Sequence, residues 1–270
     1  MTARALHLLL VATLLAACQV GTAAERSVPD DTTPPTAAAV APTAAPTERP
    51  SATASRSPSS SPSPSPAPTV PPPEAFTLNL FEAGDFVPQH TFDWCVGASI
   101  QMAWNMVRGD PRSSYEDQEA LWEMARRQSS NSFNGANPRG WAATLNEIGV
   151  GPYQLVTVPE YEEALRAAAA AIRDTGRPVG LVMWRGRHAW VMSGFESMGD
   201  PALHPDFQVT GVRVLDPLFP HGSGAWGPSP EPNSLLSPEA LATQFVIREP
   251  RRWSSNLAAG YLLVLPTTAS

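Results

Sequence analysis

Apolar and polar positions follow two regimes along the 270-residue chain. From Gln19 to Ala75 there is no aromatic residue, and Pro, Ala, Thr and Ser dominate, with 57–68 nearly alternating Ser and Pro. From Phe76 onward apolar residues recur with the periods of secondary structure. Val96, Ser99, Met102, Ala103, Met106 and Val107 keep the i, i+3, i+4 spacing of a buried face, which predicts a helix over 95–107 ended by Gly109-Asp110-Pro111. Ser114 or Tyr115 leads into a second helix at 116–128, and Asn137-Pro138 introduces a third at 139–148. A short strand at 153–158 precedes an alanine-rich helix at 161–174, with Gly176 in the C′ position. The texture then changes. Apolar, β-branched runs predict strands at 178–184, 188–195, 212–215 and 261–265, separated by a Gly/Pro loop at 219–233 and a short helix over 237–245 capped by Ser237. Helices first and antiparallel strands afterwards predict an α+β fold, a helical N-terminal part packed on an antiparallel sheet.

The chain divides into three parts. Residues 1–18 read as a secretory signal: Arg4 precedes an apolar run at 6–17, broken only by His7 and Thr13. That run is too short to stay in a bilayer as a spanning helix. It ends Leu15-Ala16-Ala17-Cys18, which resembles a bacterial lipobox, in which the cysteine is lipidated and becomes the new N-terminus. The other reading is an ordinary signal peptide cleaved near Ala23 or Ala24. Lipid on Cys18 anchors the protein to the outer face of the cytoplasmic membrane. Residues 19–75 have too little apolar surface to offset chain entropy and are expected to form a disordered, partly polyproline-like tether. Fully extended it reaches on the order of 150 Å. Residues 76–270 hold all the aromatic residues and are long enough for one domain with a sizeable core. The net charge of −7 and the lack of a Lys/Arg stripe argue against nucleic acid as a partner.

Chemistry concentrates at Cys95. The only other cysteine, Cys18, is removed from play by lipidation or cleavage, so Cys95 is left as a lone thiol in an exported protein. It opens a helix, where the positive end of the dipole favours a thiolate. Five residues separate it from Gln89, whose side-chain N–H, with the Cys95 backbone N–H, is placed to form an oxyanion hole. A thiol nucleophile needs a base, and the base an orienting group. Of the domain's histidines, His90 is too near Cys95 in sequence to oppose it, and His204 and His221 lie in polar, Pro-flanked loops. His188 starts an apolar strand after the turn Gly186-Arg187. Asp216 ends the next strong strand as Leu215-Asp216-Pro217 and is the candidate carboxylate, with Asp206 and Asn233 as fallbacks in looser loops. No pair of His or Cys residues has zinc-ligand spacing, so no metal or cofactor is expected.

At these residues the chain resembles the papain-like cysteine peptidases, specifically their C39-like bacterial branch. The resemblance rests on the order Gln89, Cys95, His188, Asp216, on the small residues after Cys95, on Gly186-Arg187-His188-Ala189 and on Val212 to Pro217. Val96, and the acidic Glu82 and Asp85 before Gln89, depart from the family's pattern. The resemblance implies Gln89 in the oxyanion hole, Cys95 as nucleophile, His188 as general base and acid, and Asp216 as its orienting carboxylate.

The function expected is a membrane-anchored, extracytoplasmic cysteine peptidase, or an amidase or acyltransferase using the same residues, acting as a monomer. Peptidoglycan cross-bridges, secreted peptides and surface proteins are all candidate substrates. The alternative is a non-catalytic surface module binding peptide or cell-wall ligands, its groove lined by some of the tryptophans (Trp94, Trp104, Trp122, Trp141, Trp184, Trp190, Trp226, Trp253).

Overall fold

The computed structural model describes residues 71–129, 135–251 and 256–268. The signal segment with Cys18, nearly all of the tether, and Trp253 lie outside the described residues.

Helices α1 (Cys95–Arg108), α2 (Tyr115–Arg127) and α3 (Pro138–Glu147) come first, preceded by strand β1 (Ala75–Asn79). Strand β2 (Tyr153–Val158) and helix α4 (Tyr161–Thr175) follow. Then come β3 (Val179–Met183), β4 (His188–Met198), β5 (Gln208–Leu215), β6 (Ser234–Leu236), helix α5 (Pro238–Ala242) and β7 (Tyr261–Pro266). Every pairing is antiparallel, in the order β2-β7-β3-β4-β5-β6, with β1 added beside β4. The fold is α+β, as the order of the patterns predicts.

Local chemistry explains most of the boundaries. Ser114 Oγ accepts from Asp117 N–H at 3.1 Å to start α2, and Asn137 Oδ1 accepts from Arg139 N–H at 2.9 Å and Gly140 N–H at 3.1 Å to start α3. Gly109 and Gly176 take φ of 61° and 63° to close α1 and α4. Helix α1 is buried from Val96 through Ala103, more completely than an amphipathic stripe requires, because α2 and α3 cover its outer side. Its buried Gln101 accepts from Gln118 Nε2 of α2 at 2.9 Å, so the polar groups there are satisfied by one another.

The sheet has a hydrophobic core on each face. Along β4, Ala189 and Val191 pack toward α1 and α3, whereas Trp190 and Met192 pack toward α4 and α5. Helix α4 buries Ala164, Leu165, Ala168, Ala169 and Ile172, and its larger side chains each contribute about 1.5–3 kcal/mol by burial.

Strand β4 is the longest and has two partners on one edge. Its first half pairs with β3, from Met183↔His188 to Val179↔Met192, and its second half with β1, from Asn79↔Gly194 to Ala75↔Met198. Gly194 permits this: a Cβ there would lie 2.3 Å from the Leu78 carbonyl oxygen. Neither β1 nor β6 is evident in the hydrophobic pattern.

Candidate active site

Cys95 is the first residue of α1. Trp94 precedes it with φ −97° and ψ 18° and supplies no side-chain cap, so the N–H groups of the first turn face outward without one. No acceptor meets the Cys95 N–H among the described residues. Gly97, one turn in, lets α2 approach: a Cβ there would lie 2.9 Å from Trp122 Cβ and 3.0 Å from the Gln118 carbonyl oxygen. Gln118 in turn holds the segment leading to the helix, donating to Pro88 O at 3.1 Å and accepting from His90 N–H at 2.7 Å.

His188 and Asp216 meet for a reason visible in the register. Val191 pairs with Leu215, so continuing the ladder by one residue sets Asp216 opposite Trp190, on the face and one diagonal step from His188. His188 Nε2 lies 2.6 Å from Asp216 Oδ1, with side-chain exposures of 4% and 0%. Oδ1 also accepts from Leu218 N–H at 2.9 Å, which fixes the turn after β5. The remaining ring nitrogen, Nδ1, is left for Cys95, which lines the same cavity and whose sulfur raises the proton affinity of His188. Burial is the largest single influence on His188 and disfavours its charge. The bond to Asp216, the bond to Cys95 and the negative charges of both outweigh it together, lifting the His188 pKa to about 9.

Trp184 holds the imidazole from above. Its ring stacks on His188 with centroids 4.1 Å apart and planes 21° apart, and Trp226 lies parallel beyond it at 6.4 Å. Trp184 sits just past β3 with φ 55°, followed by Arg185 at 58° and Gly186 at 87°. Non-glycine residues rarely take such angles. Here Gln244 secures the turn, accepting from Trp184 Nε1 at 2.9 Å through its side chain and from Trp184 N–H at 3.0 Å through its backbone.

Gln89 lies beside the cleft, its backbone N–H donating to Pro217 O at 2.8 Å, which joins the loop before α1 to the segment after Asp216. Its side-chain Nε2 donates to Thr91 O at 3.0 Å and Phe92 O at 2.9 Å. Both amide hydrogens are therefore engaged in this geometry, and the N–H left without an acceptor is that of Cys95 itself. Asp206 is exposed, and Asn233 Oδ1 accepts from Ser193 Oγ at 2.9 Å; neither is the carboxamide or carboxylate at His188. His90 and His221 are exposed and His204 is half-buried, and none of the three lines the cavity that Cys95 lines.

The thiol opens on a cavity of about 400 Å³. One wall is Cys95, Trp141 and the start of α3, and the other is the β3–β4 turn with Arg248 and Leu257. An adjoining hollow of about 460 Å³ shares Gln89 and Leu218 with it. Of the tryptophans, Trp141 and Trp184 line the cavity, while Trp94 and Trp190 are buried elsewhere in the core. Trp184 as a clamp on His188, Gln244 as its support and the arginine-bearing wall were not identified from the sequence. Non-local contacts bring them there, and the one local hint was Gly186 in the turn.

Among the described residues no group of three or more His, Cys, Asp or Glu could hold a metal ion, and no helix is long and apolar enough to cross a membrane. No family model matches the chain, and no curated protein matches it. Two solved structures resemble it in part. The peptidase domain of Streptococcus ComA, a bifunctional ABC transporter of a quorum-sensing pathway, has 15% identity and a TM-score of 0.31, covering 67% of this chain and 97% of that one. UfSP from C. elegans has 16% identity and a TM-score of 0.37, covering 68% of this chain and 32% of that one.

Proposed function

We propose that the chain is a cysteine peptidase of papain-like type, with Cys95 as nucleophile, His188 as general acid and base, and Asp216 as orienting carboxylate. One observation supports this above all. A buried histidine is bonded through Nε2 to a buried carboxylate at 2.6 Å, and a thiol at an uncapped helix N-terminus lines the same cavity and raises the histidine's proton affinity. A structural core does not need a charge pair in that position, since burying one costs several kcal/mol per ion before its partners repay it.

The reaction follows from the groups present. With its pKa lifted to about 9, His188 is protonated at neutral pH, and its charge beside the sulfur favours attack in the thiolate form. The sulfur attacks a peptide carbonyl carbon, and the oxygen takes up the negative charge. The Cys95 N–H is free to donate to it. Gln89 Nε2 becomes a second donor only by releasing the carbonyl of Thr91 or Phe92. His188 gives its proton to the leaving amine, the C–N bond breaks and a thioester remains. Neutral His188 then takes a proton from water as it attacks the thioester, the C–S bond breaks, and the acid product leaves with Cys95 released as thiolate beside protonated His188. An amine in place of that water would make the enzyme an acyltransferase, and a non-peptide amide substrate would make it an amidase.

The reading extends to place. Lipidation at Cys18 would fix the enzyme to the outer face of the membrane, with 19–75 as its tether and cell-wall peptides, secreted peptides or surface proteins within reach.

The test is labelling of the purified protein with a thiol-reactive probe between about pH 5 and about pH 10, followed by screening against peptide and cell-wall libraries. An activated Cys95 labels rapidly on the acid side of neutrality and cleaves a subset of the library. Labelling that climbs with pH like a simple thiol's, together with ligand binding and no turnover, leaves the surface binding module instead.

A further inference from the structure

The charge of the cleft is opposite to that of the chain. The protein carries 25 Asp and Glu against 18 Lys and Arg. Yet among the described residues, apart from His188, the charged side chains lining the cavity are Arg185, Arg187, Arg248 and Arg251, with Asp93 alone against them. Two belong to the β3–β4 turn. Arg185 and Arg187 are exposed on either side of Gly186, within three residues of His188. The other two come from the chain after α5. Arg248 is 2% exposed and braces that wall, donating from Nη1 to Leu257 O at 2.6 Å and Ala258 O at 2.7 Å. Its stem fills the space over Gly186, where a Cβ would lie 3.0 Å from Arg248 Cδ. Arg251, half-buried, is near enough for its charge to oppose that of Arg248.

Four arginines elsewhere on the domain are matched with carboxylates, and Arg108, Arg139 and Arg177 bond backbone carbonyls instead. Arg112 pairs with Asp110, Arg127 with Glu123, Arg173 with Asp200 and Arg213 with Glu196. No carboxylate among the described residues lies within 4.0 Å of Arg185, Arg187 or Arg251. Like charges gathered along one cleft repel one another, and an anion entering the cleft relieves that repulsion. A guanidinium also meets a carboxylate through two parallel hydrogen bonds, so it orients as well as attracts.

We infer that the cleft selects acidic peptides, in which carboxylate side chains beside the bond presented to Cys95 bind the arginines of the β3–β4 turn and of residue 251. The chemistry rests on the peptidase reading, and the charge preference rests on the arginines. An exposed arginine–carboxylate pair typically changes an equilibrium about threefold, so two pairs give a preference of about tenfold.

The experiment has two arms. In the first, the purified full chain is given a peptide library, and the cleaved sequences are remade in matched series carrying Glu, Gln or Lys next to the scissile bond. The Glu series should exceed the Gln series about tenfold in kcat/KM, with Lys lowest. The double variant Arg185→Glu/Arg187→Glu should reverse that order, and Arg251→Glu should weaken it. In the second arm the full-length Cys95→Ala variant binds the same three series, labelled for fluorescence anisotropy, at about 50 and about 500 mM salt. Tighter binding of the Glu series that fades with salt supports the inference even where no peptide is cut, and in that case it is the peptidase reading that fails. Cleavage with no dependence on charge leaves the peptidase reading standing and overturns this one, as does equal binding of the three series.

Discussion

Replacing Asp216 by Asn tests the centre of the site. The side chain keeps its shape, and its Oδ1 can still accept from Leu218 N–H, now 2.9 Å away, so the turn after β5 survives. What disappears is the charge 2.6 Å from His188 Nε2. Burial then opposes the imidazolium with only Cys95 against it. In the native protein these effects carry the His188 pKa from 6.5 to about 9, a preference for the charged form of about 3 kcal/mol. Losing most of it lowers the affinity of His188 for its proton on the order of a hundredfold, and with it the positive charge that favours a thiolate beside it. The assay is the alkylation rate of Cys95 by iodoacetamide, read by mass spectrometry on the peptide that contains it. The native rate should exceed the variant's on the acid side of neutrality, and the difference should shrink as pH rises toward about 9, where His188 loses its proton. Stability gives a second reading. A folded pKa above the unfolded one stabilises the fold fully below about pH 6.5, and the contribution fades as pH rises to about 9. The gap in melting temperature between native and variant protein should therefore be widest on the acid side and narrow toward pH 9. An Asn variant that alkylates at about pH 6 within about twofold of the native rate would refute the reasoning.

Three further outcomes are expected. Trp184→Leu removes the ring stacked on His188 at 4.1 Å and should lower kcat about tenfold with little change in overall fold, checked by turnover and circular dichroism. Gly194→Ala forces a Cβ to within 2.3 Å of the Leu78 carbonyl oxygen and should destabilise the domain by about 1–3 kcal/mol, with faster hydrogen exchange along β1. Cys18→Ser should move the protein from the membrane to the soluble fraction on cell fractionation, and an unchanged distribution would remove the lipid anchor from the proposal.

Helix α1 was legible because a single stripe of apolar residues runs from Val96 to Val107, and the four alanine-rich turns of α4 announce themselves similarly. The pairing of His188 with Asp216 could be anticipated because each stands at the end of an apolar run, and strand ends converge when neighbouring strands are antiparallel. Strand β1 was not legible. Only Phe76 and Leu78 of its five residues are partly buried, and its partner lies more than a hundred positions away. The Trp184 clamp was hidden for a different reason. It depends on a positive φ at a bulky residue and on Gln244 arriving from the far side of α5, neither of which leaves a periodic trace. The engagement of Gln89 with Thr91 and Phe92 was equally out of reach, since spacing can bring an amide near a thiol without saying which acceptor it chooses.

The place where the polypeptide enters the domain has a mechanical meaning. Chain arriving from the N-terminal side joins β1 at Ala75, opposite Met198, while His188 stands at the other end of β4. The ladder is extended at both ends, by Gly199 N–H to Glu74 O at 2.7 Å and by Leu80 N–H to Ser193 O at 2.9 Å. A domain gripping an immobile wall or surface substrate in its cleft, and pulled by a membrane-bound leader, would be stretched along the strand axis. The β1–β4 rungs would then bear the load side by side in shear, rather than parting one after another as a zipper does.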